Sequence, residues 1–202
     1  QDVSLKIPTQ FIHGNAESEV LRHLAGKQIN GLSARADEEA PWVANHLRPE
    51  QKQFLSSWST TLQFEIEEWG NVLFCHATPH NDTDVLTRLT PEVKLLPIFD
   101  NVTASLVICG HTHMQFDRLI GTVRVVNAGS VGMPFGQTGA DWLMLDDELT
   151  FRHTDYDLND AANRIRQTDY PQAGAFATNN VLQAPSEALA LKMLAQLEAN
   201  QA

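Results

Sequence analysis

Three short apolar runs in this sequence each end in residues that can bind a metal ion. They are Phe11-Ile12-His13-Gly14-Asn15, Leu73-Phe74-Cys75-His76 and Val107-Ile108-Cys109-Gly110-His111-Thr112-His113. Short apolar runs bounded by turn residues predict buried strands, and in sheets with helices on their faces ligands gather outside the carboxyl ends of the strands. Histidine nitrogen and amide oxygen are donors that borderline divalent metals accept. The sequence therefore predicts that Asn15, His76, His111 and His113 meet at one metal site.

The spacing of the apolar residues predicts a layered domain of helices and strands. Leu62, Phe64 and Ile66 alternate with polar residues, as in a half-buried strand. Other strands are predicted at 8–13, 72–75 and 106–109, hairpins at 116–126 and 142–152, and helices at 17–24, from Pro49, after Pro91, at 161–166 and at 186–197. Residues 26–47 show no clear period. We expect an α/β (α+β) fold with sheet packed on sheet over residues 1–157, followed by a helical tail over residues 158–202.

The charge balance argues against a polyanionic partner. Asp and Glu number 25 against 14 Lys and Arg, and the net charge of −11 opposes attraction to nucleic acid or to an anionic membrane. A small phosphorylated substrate remains compatible with this charge, because bound divalent cations reverse the local field. Cys75 and Cys109 lie in apolar runs, as buried thiols do. We therefore expect a cytoplasmic protein with a small phosphorylated substrate and with neither a membrane nor nucleic acid as its partner.

The segment Gly110-His111-Thr112-His113 is the most specific of the metal-competent elements. Gly110 permits a sharp turn, and the i, i+2 spacing sends two imidazoles toward neighbouring metals, so the two rings need not share one ion. Taken singly, each element has a plainer interpretation: two exposed histidines in a turn, a hydrogen-bonded His76 at a strand end, or a Gly-Asn turn at Asn15. The three elements together favour a metal site.

Four motifs in this order resemble those of the calcineurin-like metallophosphoesterases. They are Gly14-Asn15-Ala16-Glu17, His76-Ala77-Thr78-Pro79, Gly110-His111-Thr112-His113 and Asn127-Ala128-Gly129-Ser130-Val131-Gly132. They are similar to the motifs G-N-[HC]-[DE], H-G-x-P, G-H-T-H and N-P-G-S-V-G of small bacterial and archaeal phosphodiesterases. The resemblance covers residues 7 to 157 and implies a four-layer αββα sandwich of the metallophosphoesterase type.

The resemblance also implies a dinuclear metal site that hydrolyses phosphodiesters or phosphomonoesters with a metal-bound hydroxide. It assigns Asn15, His76 and His111 to catalysis and to the second metal, and His113 to the first. It implies two divalent metal ions as cofactors, each of them manganese, iron, zinc, nickel or magnesium. The bridging Asp and the other ligands of the first metal belong to G-D and D-x-H motifs, which we expect upstream of Gln1. We therefore expect this chain to be amino-terminally truncated, and inactive as an isolated fragment.

One departure from the family pattern and two other interpretations stay open on the sequence. The phosphatases of the family carry His after the ligand Asn, where this chain has Ala16, so we expect diesters or activated monoesters as substrates unless His13 or His80 takes that place. The main alternative is a non-catalytic protein-binding module that keeps the fold and has lost the chemistry. Such a module would resemble the retromer subunit built on this architecture. A structural zinc site closed by three histidines is another.

Overall fold

A five-stranded mixed sheet forms the centre of the molecule. In the computed structural model, which describes residues 7–27 and 34–201, its order is β1-β2-β3-β5-β4. The strands are β1 (Thr61–Ile66), β2 (Gly70–Cys75), β3 (Leu106–Cys109), β4 (Phe116–Ile120) and β5 (Val123–Asn127). The neighbours β2, β3 and β5 run parallel, so their carboxyl ends lie at the same edge, whereas β1 and β4 are antiparallel to their neighbours.

Tight turns set the register of the predicted hairpins. Gly70 (φ +65°) follows the turn between β1 and β2, and Gly121 (φ +57°) lies between β4 and β5; both take the left-handed conformation that glycine adopts at little cost. A third hairpin, β6 (Ala140–Leu145) with β7 (Leu149–Thr154), forms a separate two-stranded sheet. The two hairpins predicted at 116–126 and 142–152 are confirmed.

Both faces of the five-stranded sheet are covered. On one face Leu95 and Phe99 of α4 (Glu92–Phe99) pack against Val107 and Val125. On the other face Val72, Leu106, Ile108 and Val126 pack against Leu143, Leu145 and Leu149 of the β6–β7 sheet. The described residues thus supply a helix layer and two sheet layers in that order, and the predicted packing of sheet on sheet is confirmed.

The amino-terminal part differs from the sequence prediction in two ways. The strand expected at 8–13 is reduced to a single bridge between Ile12 and Ser59. Residues 34–46, for which no element was predicted, form helix α2 (Ala34–His46) with Pro41 inside it; the proline and the weak apolar periodicity conceal the helix. The expected helices are present as α1 (Asn15–Leu24) and α3 (Pro49–Ser56), with Pro49 in the first turn of α3.

Helices follow the last strand. They are α5 (Leu158–Arg166), the single turn α6 (Ala173–Phe176) continued by a π-helical segment (Ala177–Leu182), and α7 (Glu187–Asn200). The packing face of α7 consists of Ala190, Leu191, Leu194 and Leu197, whereas Leu189 and Met193 are exposed. Among the described residues, no helix has the length and apolarity needed to cross a membrane.

Candidate metal centre

The parallel strands β2 and β3 bring two of the sequence motifs together. His76 directly follows β2, and Gly110 follows β3. The N–H of Gly110 donates a 2.8 Å hydrogen bond to the carbonyl oxygen of His76, which joins the two loops where the strands end. Helix α1 begins at Asn15, and the Glu17 carboxylate accepts a 2.8 Å hydrogen bond from the Gly14 N–H at its start.

Three of the four predicted ligands meet at one point. The Nε2 of His76 lies 2.9 Å from the Oδ1 of Asn15 and 3.2 Å from the Nδ1 of His111. Gly14 makes this approach possible, because a Cβ at that position would lie 2.7 Å from Cε1 of the His76 ring. The structure thus brings the side chains of Asn15, His76 and His111 together.

A strained loop presents the two histidines that follow β3. His111 and His113 both have positive φ, 62° and 57°, a conformation that is uncommon for residues with a Cβ and that clusters at functional sites. The side chain of Asn127, fully buried at the end of β5, holds this loop. It donates to the carbonyl oxygen of Gly110 and to Oγ1 of Thr112, and its Oδ1 accepts from the Gly129 N–H at 2.9 Å.

His113 makes its ring contact outside the group of Asn15, His76 and His111. Its ring packs beside Phe135, with 5.4 Å between ring centroids, and its Nδ1 is buried without a hydrogen-bond partner. Within residues 7–27 and 34–201, no three His, Cys, Asp or Glu side chains form a group that could hold an ion. The described residues therefore do not form a closed three-histidine zinc site. That His111 and His113 need not share an ion stays a prediction.

Burial keeps the three rings neutral. Burial, and to a smaller extent a neighbouring histidine, lowers the pKa of His76, His111 and His113 to about 4 each. Neutral imidazole is the form that binds metals. The backbone of Met133 opposes this fall in the pKa of His113, whose Nδ1 is buried without a hydrogen-bond partner. An unpartnered buried nitrogen and two converging neutral rings fit a divalent cation.

Two carboxylates act electrostatically on the rings of this centre. Asp82 raises the pKa of both His76 and His111, and Asp84 raises that of His111. Ser18 of α1 donates a hydrogen bond to Asp82, which fixes its position. The loop that carries Asp82 also borders a cavity of about 270 Å³, lined by Thr60, Thr61 and residues 78–82.

The remaining histidines lie away from this centre. His13 bonds the Leu55 carbonyl oxygen at 2.8 Å, and His80 bonds that of Ile98 at 3.0 Å, so neither takes the place beside Ala16. His46 and His153 are both exposed, and the Nδ1 of His153 lies 2.7 Å from the buried carboxylate of Asp141. This cross-strand pair between β6 and β7 was not visible in the sequence because its partners are twelve residues apart.

Comparison with known proteins is consistent with this geometry. Residues 1–148 match the family model of the calcineurin-like phosphoesterase superfamily domain. A crystal structure of a hypothetical protein from Pyrococcus horikoshii OT3 matches with a TM-score of 0.69 and 16% identity, over 87% of this chain and 74% of that one. The crystal structure of a metallophosphoesterase from Sphaerobacter thermophilus matches with a TM-score of 0.62 and 17% identity, over 87% and 77%. No curated protein matches. These likenesses confirm the type of fold that the sequence motifs implied.

Proposed function

The chain belongs to the calcineurin-like phosphoesterase superfamily, and on that premise we propose that it hydrolyses phosphodiesters with the help of two divalent metal ions. The observation that carries the proposal is the meeting of Asn15, His76 and His111, whose donor atoms lie 2.9 Å and 3.2 Å apart. A structural role alone does not explain why the neutral rings of His76 and His111 lie with one nitrogen of each in contact, beside the amide oxygen of Asn15.

We assign these donors to two ions. Oδ1 of Asn15 and the rings of His76 and His111 would hold one ion, and Nδ1 of His113 would contribute to a second. When bound, such ions polarise the phosphoryl oxygens and make water acidic enough to act as a nucleophile at neutral pH. Manganese is our first choice for the experiment because carbonyl oxygen donors suit it, and zinc, iron and nickel, which imidazole suits, are the next.

The residues of the chain itself prepare this site. Burial of the three rings disfavours the imidazolium form at neutral pH, so each ring has one nitrogen with a lone pair available to a cation. Asp82, held by Ser18, supplies negative charge close to His76 and His111 that favours a nearby cation.

The substrate class follows from the position after Asn15. Ala16 is exposed at the start of α1 and offers no proton to a leaving group, and His13 and His80 are bonded elsewhere. We therefore propose diesters, or monoesters with good leaving groups, whose departure needs no protonation. The cavity of about 270 Å³ beside Asp82 would take a small substituent of the ester. The variant Ala16→His should speed hydrolysis of poor leaving groups more than that of good ones, and an unchanged ratio would refute the assignment.

Hydrolysis of bis(4-nitrophenyl) phosphate by the full-length gene product tests the proposal. We expect turnover with MnCl₂, none after treatment with EDTA, and a loss of about 100-fold or more in His111→Ala, because a displaced donor misplaces the reacting groups. His23→Ala, a histidine on α1 outside the centre, is the matched control and should retain the wild-type rate. Turnover that survives in His111→Ala would contradict the proposal, and Mn²⁺ binding without turnover would favour a non-catalytic binding module.

The compartment is a further part of the proposal. Cys75 and Cys109 are free and buried, and burial raises the pKa of Cys75 to about 12, so neither thiol is reactive. This fits a reducing compartment, and we propose the cytoplasm. Fractionation of cells that express the tagged gene product would test it.

A further inference from the structure

A second cavity adjoins the metal centre at His113. It has a volume of about 310 Å³, within the range of small-molecule sites, and Met114 and Phe135 form its apolar wall. Met114 directly follows His113, and the ring of Phe135 packs beside that of His113 with 5.4 Å between centroids. The cavity of about 270 Å³ described above borders Asp82 instead. A phosphodiester at the centre would therefore have one cavity for each of its two substituents.

A buried carboxylate lines the cavity beside His113. It belongs to Asp141, which is 5% exposed and lies near the start of β6. The backbone N–H of Asp141 donates a 3.0 Å hydrogen bond to the carbonyl oxygen of Ser130. Gly129 leaves room for this residue, because a Cβ at position 129 would lie 2.7 Å from the Cβ of Asp141. Burial of a carboxylate costs free energy unless hydrogen bonds or an opposite charge compensate it.

The partners of Asp141 leave one of its two oxygens open. The Nδ1 of His153 lies 2.7 Å from Oδ1, and the Nε2 of Gln137 donates to the same oxygen at 3.2 Å. Within residues 7–27 and 34–201, no hydrogen bond reaches Oδ2. A carboxylate has about four acceptor positions, so Oδ2 is available to a ligand in the cavity.

The two amide side chains that line the cavity have their donors engaged by the protein. The Nε2 of Gln115 donates to the carbonyl oxygens of Trp142 at 3.1 Å and Ala128 at 3.3 Å. The Nε2 of Gln137 donates to Asp141. Each amide is left with its carbonyl oxygen, which only accepts hydrogen bonds. A ligand of this cavity therefore has to supply the donors.

The charges around the cavity favour a cation. Arg88 and Glu187 also line it, but they form an ion pair with each other, so their charges offset. The carboxylate of Asp141 is the remaining acidic group of the lining. The ring of Phe135 adds a surface that attracts a positive charge placed over its face.

We propose that this cavity is a subsite for a primary ammonium group on one substituent of the phosphodiester, with Asp141 as its main acceptor. An ammonium group brings three donors and a positive charge, which suit the acceptors of Asp141, Gln115 and Gln137. The inference deepens the proposed function, and it rests on that function in taking the occupant to be part of an ester.

The first test measures binding to the metal-free full-length protein, in which no ester is hydrolysed. The probes are butylammonium chloride and 1-butanol at constant ionic strength, which differ in the ammonium group. Side-chain amide signals of Gln115 and Gln137 in ¹H–¹⁵N spectra report occupancy. We expect saturable shifts with butylammonium and a Kd at least about tenfold below that of butanol, because hydrogen bonds to charged groups are the stronger ones. Equal affinities for the two probes, or binding of neutral adenine in place of butylammonium, would overturn the inference.

Three variants identify the groups that bind the ammonium. Asp141→Asn keeps the shape of the side chain and removes its charge, and it should abolish the preference for butylammonium. Because Asp141 is buried, Gln137→Ala at an exposed position provides a second variant that spares the fold, and it should weaken butylammonium binding about threefold. Gln53→Ala, at an exposed position of α3, is the matched control and should bind as the wild type. An unchanged preference in Asp141→Asn, or unchanged affinity in Gln137→Ala, would overturn the inference.

Hydrolysis separates this inference from the proposed function. With MnCl₂, we expect kcat/KM for 4-nitrophenyl 2-aminoethyl phosphate to exceed that for 4-nitrophenyl propyl phosphate, which lacks the ammonium group, by about tenfold. A protein that prefers butylammonium but cleaves neither ester would support the ammonium subsite and refute the proposed function. A protein that cleaves both esters equally well would support the proposed function and overturn the inference.

Discussion

Gly14→Ala should damage the metal centre while leaving the fold intact. Gly14 precedes α1 with φ −104° and ψ 178°, an extended conformation that alanine adopts without strain. The added methyl group would lie 2.7 Å from Cε1 and 2.8 Å from Nδ1 of His76, whereas ordinary contacts begin at 3.4 Å. The ring must therefore retreat by about 0.7 Å.

A retreat of this size moves the donor atoms apart. The Nε2 of His76 makes its contacts at 2.9 Å with Asn15 and at 3.2 Å with His111, and both depend on the present position of the ring. A misplacement of about 1 Å costs on the order of 100-fold in rate, so a shift of about 0.7 Å should cost at least tenfold in Mn²⁺-dependent turnover. Mn²⁺ affinity should fall in parallel.

The assay compares turnover of bis(4-nitrophenyl) phosphate and the calorimetric dissociation constant of Mn²⁺ in the wild type, Gly14→Ala and Gly174→Ala. Gly174 lies in α6, where a Cβ would meet no atom within 4 Å, so this variant controls for the substitution itself. The urea midpoint of Gly14→Ala should stay close to that of the wild type. Wild-type turnover and affinity in Gly14→Ala would refute the argument that close packing on Gly14 places His76.

Three further predictions concern the loop, its charge and its protonation. Asn127→Ala leaves buried hydrogen-bonding groups without partners and should lower the free energy of unfolding by about 3 kcal/mol in urea titrations, whereas the exposed Asn101→Ala should change it little. Asp82→Asn removes a carboxylate close to the bound cation and should weaken Mn²⁺ binding by about 1 kcal/mol, roughly fivefold, in calorimetry; equal affinities would show that the carboxylate does not act on the site. The free energy of unfolding of the metal-free protein should fall by about 1 kcal/mol for each of His76, His111 and His113 from about pH 7.5 to about pH 5.5. The reason is that a folded-state pKa of about 4 lets the unfolded chain take up protons first as the pH falls through 6.5. A flat pH profile in urea titrations would contradict neutral, buried rings.

The hairpins and the convergence of donors could be predicted because they depend on local pattern and on strand direction. Alternating apolar residues and turn glycines determine β1–β2 and β4–β5, and parallel strands bring His76 and His111 to one edge whatever the rest of the chain does. The unpredicted helix α2 contains Pro41, which breaks the usual helical signal.

The supports of the site could not be read from the sequence, because each joins residues that lie far apart in it. Ser18 and Asp82 are separated by 64 positions, and Gln115 and Arg152 by 37. Each of these residues is an ordinary polar residue in its local context. Their contribution depends on tertiary packing, which brings α1 against the loop after β2 and β7 against the segment after His113.

Anomalous diffraction from crystals of the full-length protein grown with MnCl₂ tests the central claim most directly. The account predicts a manganese peak bound by Oδ1 of Asn15 and the rings of His76 and His111, and a second peak at Nδ1 of His113. Manganese found only elsewhere, for example at Asp141 and His153, or no peak at saturating MnCl₂, would contradict the assignment of these residues to a dinuclear phosphoesterase centre.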